Sequence, residues 1–429
     1  MKKVGVALLG LGVVGGGVYR ILTEKSEYFK KTQGLEVSVE SVLVRSPEKA
    51  IKKGVPEGKI VSTIEDVISN PAVDVVVEVM GGTEPAKAYV LKSLMSGKTV
   101  VTANKELVAK HWRELEEMAK KMNAGLFFEA SCVGGVPIIR TLQDGMQANE
   151  IKSIKGIING TTNYILTKMS CEGYSYEQAL KEAQRLGYAE ANPTADVEGF
   201  DATYKLSILA SIAFNARVLI ENVKREGISL VDKADIAYGQ AMGYTLKLLG
   251  IGKNEAGGID VRVHPTFIRK DDPLASVNDS YNAVLITGDS VGEIMLYGKG
   301  AGALPTGSAV VSDIIFAAKH EDYCYAPFIS GGAEGKAEKD AKFVSDFITK
   351  YYIRLSVADS AGVLSKITGV FAKNNISIKE VKQTSAEEGK AEIVIITHPS
   401  EESSMQKNLD KLRAIEEVFA IKGFIRIEE

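Results

Sequence analysis

Apolar residues along this chain change their spacing several times, and each change marks an element. Residues 4–9 form a continuous apolar run that reads as a buried strand, followed by the turn Gly10-Leu11-Gly12-Val13-Val14-Gly15 and an amphipathic helix through residue 22. Strand-like runs recur at 36–44, 74–79, 99–102 and 125–129, separated by helical patterns such as 84–96. That alternation predicts a parallel, doubly wound sheet. A second region follows, with a strand over 151–158, a polar loop over 159–164, and a helix opened by the capping box Ser175–Gln178 and stopped by Gly187. Alternating runs at 258–268 and 282–295 suggest a mostly antiparallel sheet, and an apolar-periodic helix runs through residue 318. The tail reads as strand 351–357, helix 363–371 capped by Asp359 and Ser360, strands 376–381 and 391–397, a polar helix and a last strand at 423–427. This is a ferredoxin-like βαββαβ order.

One helix breaks the rule that charges face water. Read at ~100° per residue, Asp201, Lys205, Ile208 and Ile212 fall on one stripe, so the charged pair continues the apolar face. Glu190, Asp196 and Glu198 arrive just before it on a loop broken by Pro and Gly, where several carboxylates can converge on one ammonium. Desolvation lowers a lysine's proton affinity and nearby carboxylates restore it, which is how a proton donor is tuned. A structural buried salt bridge fits the same spacing equally well.

Composition narrows the partners. The 429 residues suffice for two to four domains of ~100–200 residues each. With 52 Lys and Arg against 55 Asp and Glu, the net charge of −3 points to small soluble molecules rather than nucleic acid or an anionic membrane. No apolar run approaches the ~20 residues of a membrane span, and the basic-then-apolar start reads as the first strand rather than a secretion signal. Cys132, Cys171 and Cys324 are odd in number and widely spaced, so neither a disulfide framework nor a zinc site is expected, and a reducing cytoplasm fits.

Four stretches carry candidate chemistry. In the strand-turn-helix, Gly10 makes the tight turn, Gly12 lets the backbone approach a pyrophosphate, and Gly15 lets helix and sheet pack closely. Val13 and Val14 open the helix whose free N–H groups would face the phosphates. At the end of the second strand, where an NAD site usually has an acid, this chain has Arg45-Ser46, with Lys49, Lys52 and Lys53 beyond. NADP(H) is therefore expected over NAD(H); a solvated basic helix would account for the lysines but less readily for Arg45. Thr102-Ala103-Asn104-Lys105 ends the fourth strand, on the edge where open sheets bind ligands. A lysine opening a helix is electrostatically misplaced, so either a functional group holds it or its side chain bends into water. Finally, Glu129 precedes Gly134-Gly135-Val136-Pro137, a segment able to turn carbonyls toward a monovalent cation or to act as a plain hinge. Cys132 within it is also a candidate thiol nucleophile, but such a thiol needs a base, and His111, His264, His320 and His398 are all remote in sequence.

These motifs resemble homoserine dehydrogenase. The resemblance rests on Gly187-Tyr188-Ala189-Glu190, Pro193-Thr194-Ala195-Asp196 and Gly199-Phe200-Asp201 through Lys205, and on the run from Gly156 to Leu166 around Asn159-Gly160-Thr161-Thr162-Asn163. It extends to Thr102–Lys105, to Glu129–Pro137 and to Gly298-Lys299-Gly300-Ala301-Gly302, so it covers nearly the whole chain. It implies reversible NAD(P)-dependent interconversion of L-homoserine and L-aspartate 4-semialdehyde. Lys205 would be the proton donor, held by Asp201, with Lys105 at the substrate oxygen or carboxylate. Glu190 would bind the substrate amino group, with Asp196, Asn159, Gly160 and Thr161 also on the substrate side. Thr102, Ala103, Lys105 and Gly302 would meet the cofactor, and Glu129 with the carbonyls of Cys132, Gly134 and Val136 would hold sodium.

The tail, with Asp359-Ser360-Ala361-Gly362-Val363-Leu364 and Asn374-Asn375-Ile376, resembles an ACT regulatory domain. Asp359, Gly362 and Asn375 would then contact an amino-acid effector, threonine by analogy, placing the enzyme in threonine, methionine and isoleucine biosynthesis; a purely dimerising module is the alternative. The expected α/β architecture is a Rossmann-type domain over 1–135 completed by 303–330, an α+β substrate and dimerisation domain over 136–302, a linker over 331–349 and an ACT domain over 350–429. A homodimer or homotetramer is expected. Two other classes stay open: a thiol-acylating aldehyde dehydrogenase using Cys132, and a non-catalytic sensor of NADPH and an amino acid.

Overall fold

The computed structural model describes residues 1–320, 341–387 and 389–429. Cys324, the end of the returning segment and the linker up to residue 340 lie outside the described residues. Two compact units emerge, each assembled from three stretches of chain.

The first unit takes Met1–Gly160, Asp201–Val223 and Tyr281–Ala341. Its six-stranded sheet runs Ile60–Val61, Leu35–Leu43, Lys2–Leu9, Val75–Glu78, Thr99–Thr102, Leu126–Phe127, with every pairing parallel. Helices cover both faces of such a sheet, which is why its inner strands are buried in unbroken runs rather than at alternate positions. The Ile60–Val61 strand is too short to leave a pattern, and the run expected over 125–129 narrows to two residues before Glu129–Ser131 turns into a 3-10 helix.

The glycine-turn helix Val13–Glu24 packs against Ala303–Lys319 so tightly that a Cβ at Gly17 would sit 1.9 Å from the Ala303 carbonyl oxygen. Beside this sheet, Tyr281–Gly288 pairs antiparallel with both Gly292–Lys299 and Ile151–Ile157. The run expected as one strand over 282–295 is thus a hairpin. The chain reverses at 289–291, between the paired Gly288 and Gly292, where Gly288-Asp289-Ser290 breaks the apolar run.

The second unit takes Thr161–Phe200, Lys224–Ser280 and Lys342–Glu429. Tyr244–Glu255 pairs antiparallel with Gly258–Arg269, and the latter pairs in parallel with the last strand, Val418–Glu428, at Thr266–Ile268. From there the sheet continues through Ile348–Ala358, Lys390–Thr397 and Ile378–Glu387, all antiparallel. The helices Val363–Lys373 and Glu402–Arg413 close a core around Ile353, Leu355, Ile367, Phe371, Ile395 and Leu409. This is the expected βαββαβ tail.

Two details differ from expectation. Asp359 and Ser360 do not cap the first tail helix: Gly362 occupies the cap position at φ +91° with no side-chain hydrogen bond, a left-handed turn that leaves both residues outside the helix. The end of the expected linker is also paired, with Phe343 bridging Ile259. Buried arginines fasten the tail within this unit. Arg426 meets Glu402 and Glu226, and Arg354 meets Asp235 and Glu392.

Candidate active site

The glycine turn shapes the first half of the site, within the first unit. Gly10 adopts a φ of +101°, closed to residues with a Cβ, and a Cβ on Gly15 would meet the Gly10 carbonyl oxygen at 2.3 Å. A Cβ on Gly12, by contrast, would meet nothing within 4 Å. It would project into open space, which keeps the backbone accessible. Gly10, Leu11 and Gly12 line a cavity of about 750 Å³ together with Arg45, Ser46 and Lys49. Lys53 donates to the carbonyl oxygens of Leu11 (2.6 Å) and Gly12 (3.0 Å), so it braces the turn itself. These residues fit a dinucleotide: a bare backbone for phosphates and cationic side chains at the end of the second strand.

The second half is a cluster of charges in the same unit. The helix Phe200–Phe214 is buried on almost every side, with Ser207 donating to the Val218 carbonyl oxygen and Ser211 accepting from its amide. Asp201 and Lys205 lie one turn apart on it, and Lys205 Nζ donates to Asp201 Oδ2 at 2.7 Å and to the Ile158 carbonyl oxygen at 2.9 Å. Asn159 Nδ2 donates to the same Asp201 oxygen at 2.8 Å. The other oxygen, Oδ1, lies 3.0 Å from Lys105 Nζ. One carboxylate thus bridges two ammonium groups. Burial alone would raise the Asp201 carboxyl, but Lys205 and Lys105 outweigh it and hold the group well below the usual carboxylate range. Exposure separates the lysines: 41% of the Lys105 side chain is exposed, against 10% for Lys205.

Lys105 opens the helix Lys105–Lys121, capped by Asn104, whose side chain accepts from Leu107 N at 3.1 Å. Sequence reasoning missed what lies beneath. Glu78 ends its strand fully buried, accepting from Thr102 Oγ1 at 2.6 Å and from Met80 N at 2.8 Å. A lone glutamate inside the apolar run Val75–Val79 was the available signal. Ala103 continues the pattern by donating its amide to the Glu78 carbonyl oxygen.

Around Glu129 the chain is tightly wired. Its carboxylate accepts from Ile139 N and Arg140 N, both at 2.8 Å, and its own amide donates to Asp313 Oδ2 at 2.9 Å. Val133 and Gly134 follow each other at φ +52° and +32°, while the Val136 carbonyl oxygen accepts from Ile138 N. The ligand set expected here, the Glu129 carboxylate with the carbonyls of Cys132, Gly134 and Val136, is all oxygen, which suits a hard cation rather than zinc. Among the described residues there is no group of three or more His, Cys, Asp or Glu that could hold a metal. Cys132 is fully buried, and burial pushes its thiol up to about 12, far from a working nucleophile.

The Gly298–Gly302 loop returns to this segment: Gly135 N donates to the Lys299 carbonyl oxygen at 2.9 Å, and Gly302 caps Ala303–Lys319 at φ +128°. The remaining substrate-side residues belong mainly to the second unit, apart from the Lys105–Asp201–Lys205 cluster. There Glu190 is exposed, Asp196 lies in the short helix Thr194–Val197, and the Thr161 hydroxyl donates to the Tyr188 carbonyl oxygen at 2.8 Å. Gly160 ends the first unit's opening stretch and begins the helix Gly160–Glu172. In the tail, Asp359, Gly362 and Asn375 are all exposed, with Asn375 at φ +55°.

Comparison with known proteins decides what this site belongs to. Residues 10–129 match the homoserine dehydrogenase NAD-binding domain, 137–315 match homoserine dehydrogenase itself, and 351–417 match the ACT domain. The homoserine dehydrogenase of Bacillus subtilis (strain 168) is 41% identical over 436 positions, spanning 100% of this chain and 99% of that protein. The chain belongs to the homoserine dehydrogenase family. It is an NAD(P)-dependent oxidoreductase acting on the alcohol group of homoserine. The crystal structure of a homoserine dehydrogenase from Thiobacillus denitrificans matches at TM-score 0.92 and 39% identity, covering 100% of this chain and 99% of that one. A hyperthermophilic archaeal homoserine dehydrogenase in complex with NADPH matches at TM-score 0.63 and 30% identity, covering 74% of this chain and 98% of that one.

Proposed function

We propose that this homoserine dehydrogenase interconverts L-homoserine and L-aspartate 4-semialdehyde with NADP(H) preferred over NAD(H), using Lys205 as the proton donor and acceptor. The observation that carries the reading is the single carboxylate shared by a buried and a partly exposed ammonium. When bound, the nicotinamide supplies or takes the hydride. Lys205 spends two of its three N–H groups on Asp201 and Ile158. The third serves the oxygen that becomes an alkoxide, neutralising it and passing the proton. Lys105, more exposed, binds the substrate oxygen or carboxylate, and Asp201 holds both ammonium groups in place. Glu190 takes the substrate amino group, with Asp196, Asn159, Gly160 and Thr161 completing that side.

Arg45, Ser46 and Lys49 on the cavity wall support the phosphate of NADP(H), and the archaeal relative was solved with NADPH. Sodium fits the oxygen donors of Glu129, Cys132, Gly134 and Val136. The ACT match supports feedback by an amino acid, threonine first, through Asp359, Gly362 and Asn375. Homo-oligomerisation is supported by the outermost strand Gly292–Lys299, which leaves Met295 and Tyr297 exposed. Among the described residues no helix is long and apolar enough to cross a membrane. The burial of Cys132 speaks against thiol acylation, and the paired lysines speak against a silent sensor.

Following nicotinamide absorbance with L-homoserine and either NADP+ or NAD+, with and without threonine, tests the reading. Turnover favouring NADP+ and falling with threonine supports it; no oxidation of homoserine with either cofactor overturns it.

A further inference from the structure

Lys105 sits where a helix dipole disfavours it, so its place must be imposed by what precedes it in the chain. Glu78 and Thr102 are register partners at the ends of adjacent parallel strands. The Thr102 hydroxyl oxygen accepts from Asn104 N at 3.0 Å. Its one proton therefore goes to Glu78 Oε2, 2.6 Å away, and Glu78 Oε1 takes Met80 N. The groups that Glu78 accepts from are neutral, and it is fully buried.

Asn104 is then fixed at both ends of its amide: Oδ1 accepts from Leu107 N, and Nδ2 donates to the Gly82 carbonyl oxygen at 2.6 Å. The next residue is Lys105, 3.0 Å from Asp201.

We propose that Glu78 is a positioning residue for Lys105, acting through Thr102 and Asn104 to set where the helix starts and hence where the ammonium meets Asp201 and the substrate. A buried carboxylate that accepts from both the strand end and the following turn makes the junction single-valued. Glutamine in its place offers one acceptor oxygen and an NH2 that clashes with a donor, so the junction must relax. The proposal rests on the reading of Lys105 as the substrate-side ammonium.

The test is a double-mutant cycle on the full chain: kcat, KM for homoserine and the NADPH Kd from nicotinamide fluorescence, for Glu78→Gln, Lys105→Ala and the two combined. Glu78→Gln is expected to lower kcat about tenfold or more, to leave the NADPH Kd within about twofold, and to add nothing once Lys105 is alanine. A tie that merely joins the strands would lower the melting temperature in both backgrounds, and its effects on kcat would multiply in the double variant, which overturns the proposal. So would an unchanged kcat in Glu78→Gln while Lys105→Ala loses activity. Full activity in Lys105→Ala alone would instead overturn the underlying reading. If Glu78→Gln does not yield folded protein, Thr102→Val, which deletes the hydroxyl between Glu78 and Asn104, takes its place in the same cycle.

Discussion

Lys105 Nζ and Asp201 Oδ1 meet at 3.0 Å although one opens a helix after the fifth strand of the parallel sheet and the other opens the buried helix Phe200–Phe214. Asp201 is thereby the common counter-ion of two ammonium groups. Asp201→Asn keeps the shape and removes the charge, leaving Lys205 buried beside a neutral amide. Breaking a buried pair in this way costs about 3–5 kcal/mol, and kcat should fall by about 10²-fold or more. Thermal melts and steady-state kinetics on the same sample check both; retention of kcat would remove Asp201 from the mechanism.

Arg45 lines the cavity at the end of the second strand. Reversing its charge with Arg45→Asp should raise KM for NADPH about 10- to 100-fold, the size of a lost charge-assisted hydrogen bond, with a much smaller change for NADH. Equal effects on the two cofactors would contradict a role in reading the 2′-phosphate.

Sodium at Glu129 predicts saturable activation when NaCl replaces choline chloride at constant ionic strength. Glu129→Gln should weaken that response, since it keeps only one acceptor where Ile139 and Arg140 now donate to two. Identical activity in both salts would leave the segment a structural hinge.

Glu402 offers a pH test of how the tail is fastened. Burial opposes its charge, but hydrogen bonds from Arg426, Lys224 and Gln406 hold its carboxyl down at about 2 against an ordinary 4.5. Because the folded value lies below the unfolded one, the stabilisation is complete above about pH 4.5 and is lost as the pH falls toward about 2, amounting to at most about 3 kcal/mol. Urea unfolding should therefore show Glu402→Gln well below the parent protein at neutral pH and approaching it near pH ~3. A gap that stays constant with pH would mean that packing, not charge, joins Glu402 to Arg426.

What the sequence showed and what it hid follow from the range of the forces involved. The glycine turn was legible because each glycine answers a local demand: a positive φ at Gly10, open backbone at Gly12, contact at Gly15. Capping was legible at Ser175, where the side chain bonds Gln178 N, but misleading at Asp359 and Ser360, where Gly362 starts the helix instead. The inward turn of Asp201 and Lys205 followed from helical spacing, yet Lys105 beside Asp201 depends on tertiary packing that no spacing encodes. The strand Tyr244–Glu255 escaped notice because buried Lys247 and two glycines blur its pattern, although Lys247 is satisfied by Val277, Asn163 and Asn278. Gly17 and Gly307 matter only because two distant helices touch.

The most direct test is the turnover of Lys205→Ala measured beside its affinity for NADPH by nicotinamide fluorescence. The shared-carboxylate mechanism predicts that kcat disappears to background while NADPH still binds as in the parent protein. Appreciable turnover without the Lys205 ammonium, or loss of cofactor binding together with activity, would contradict it.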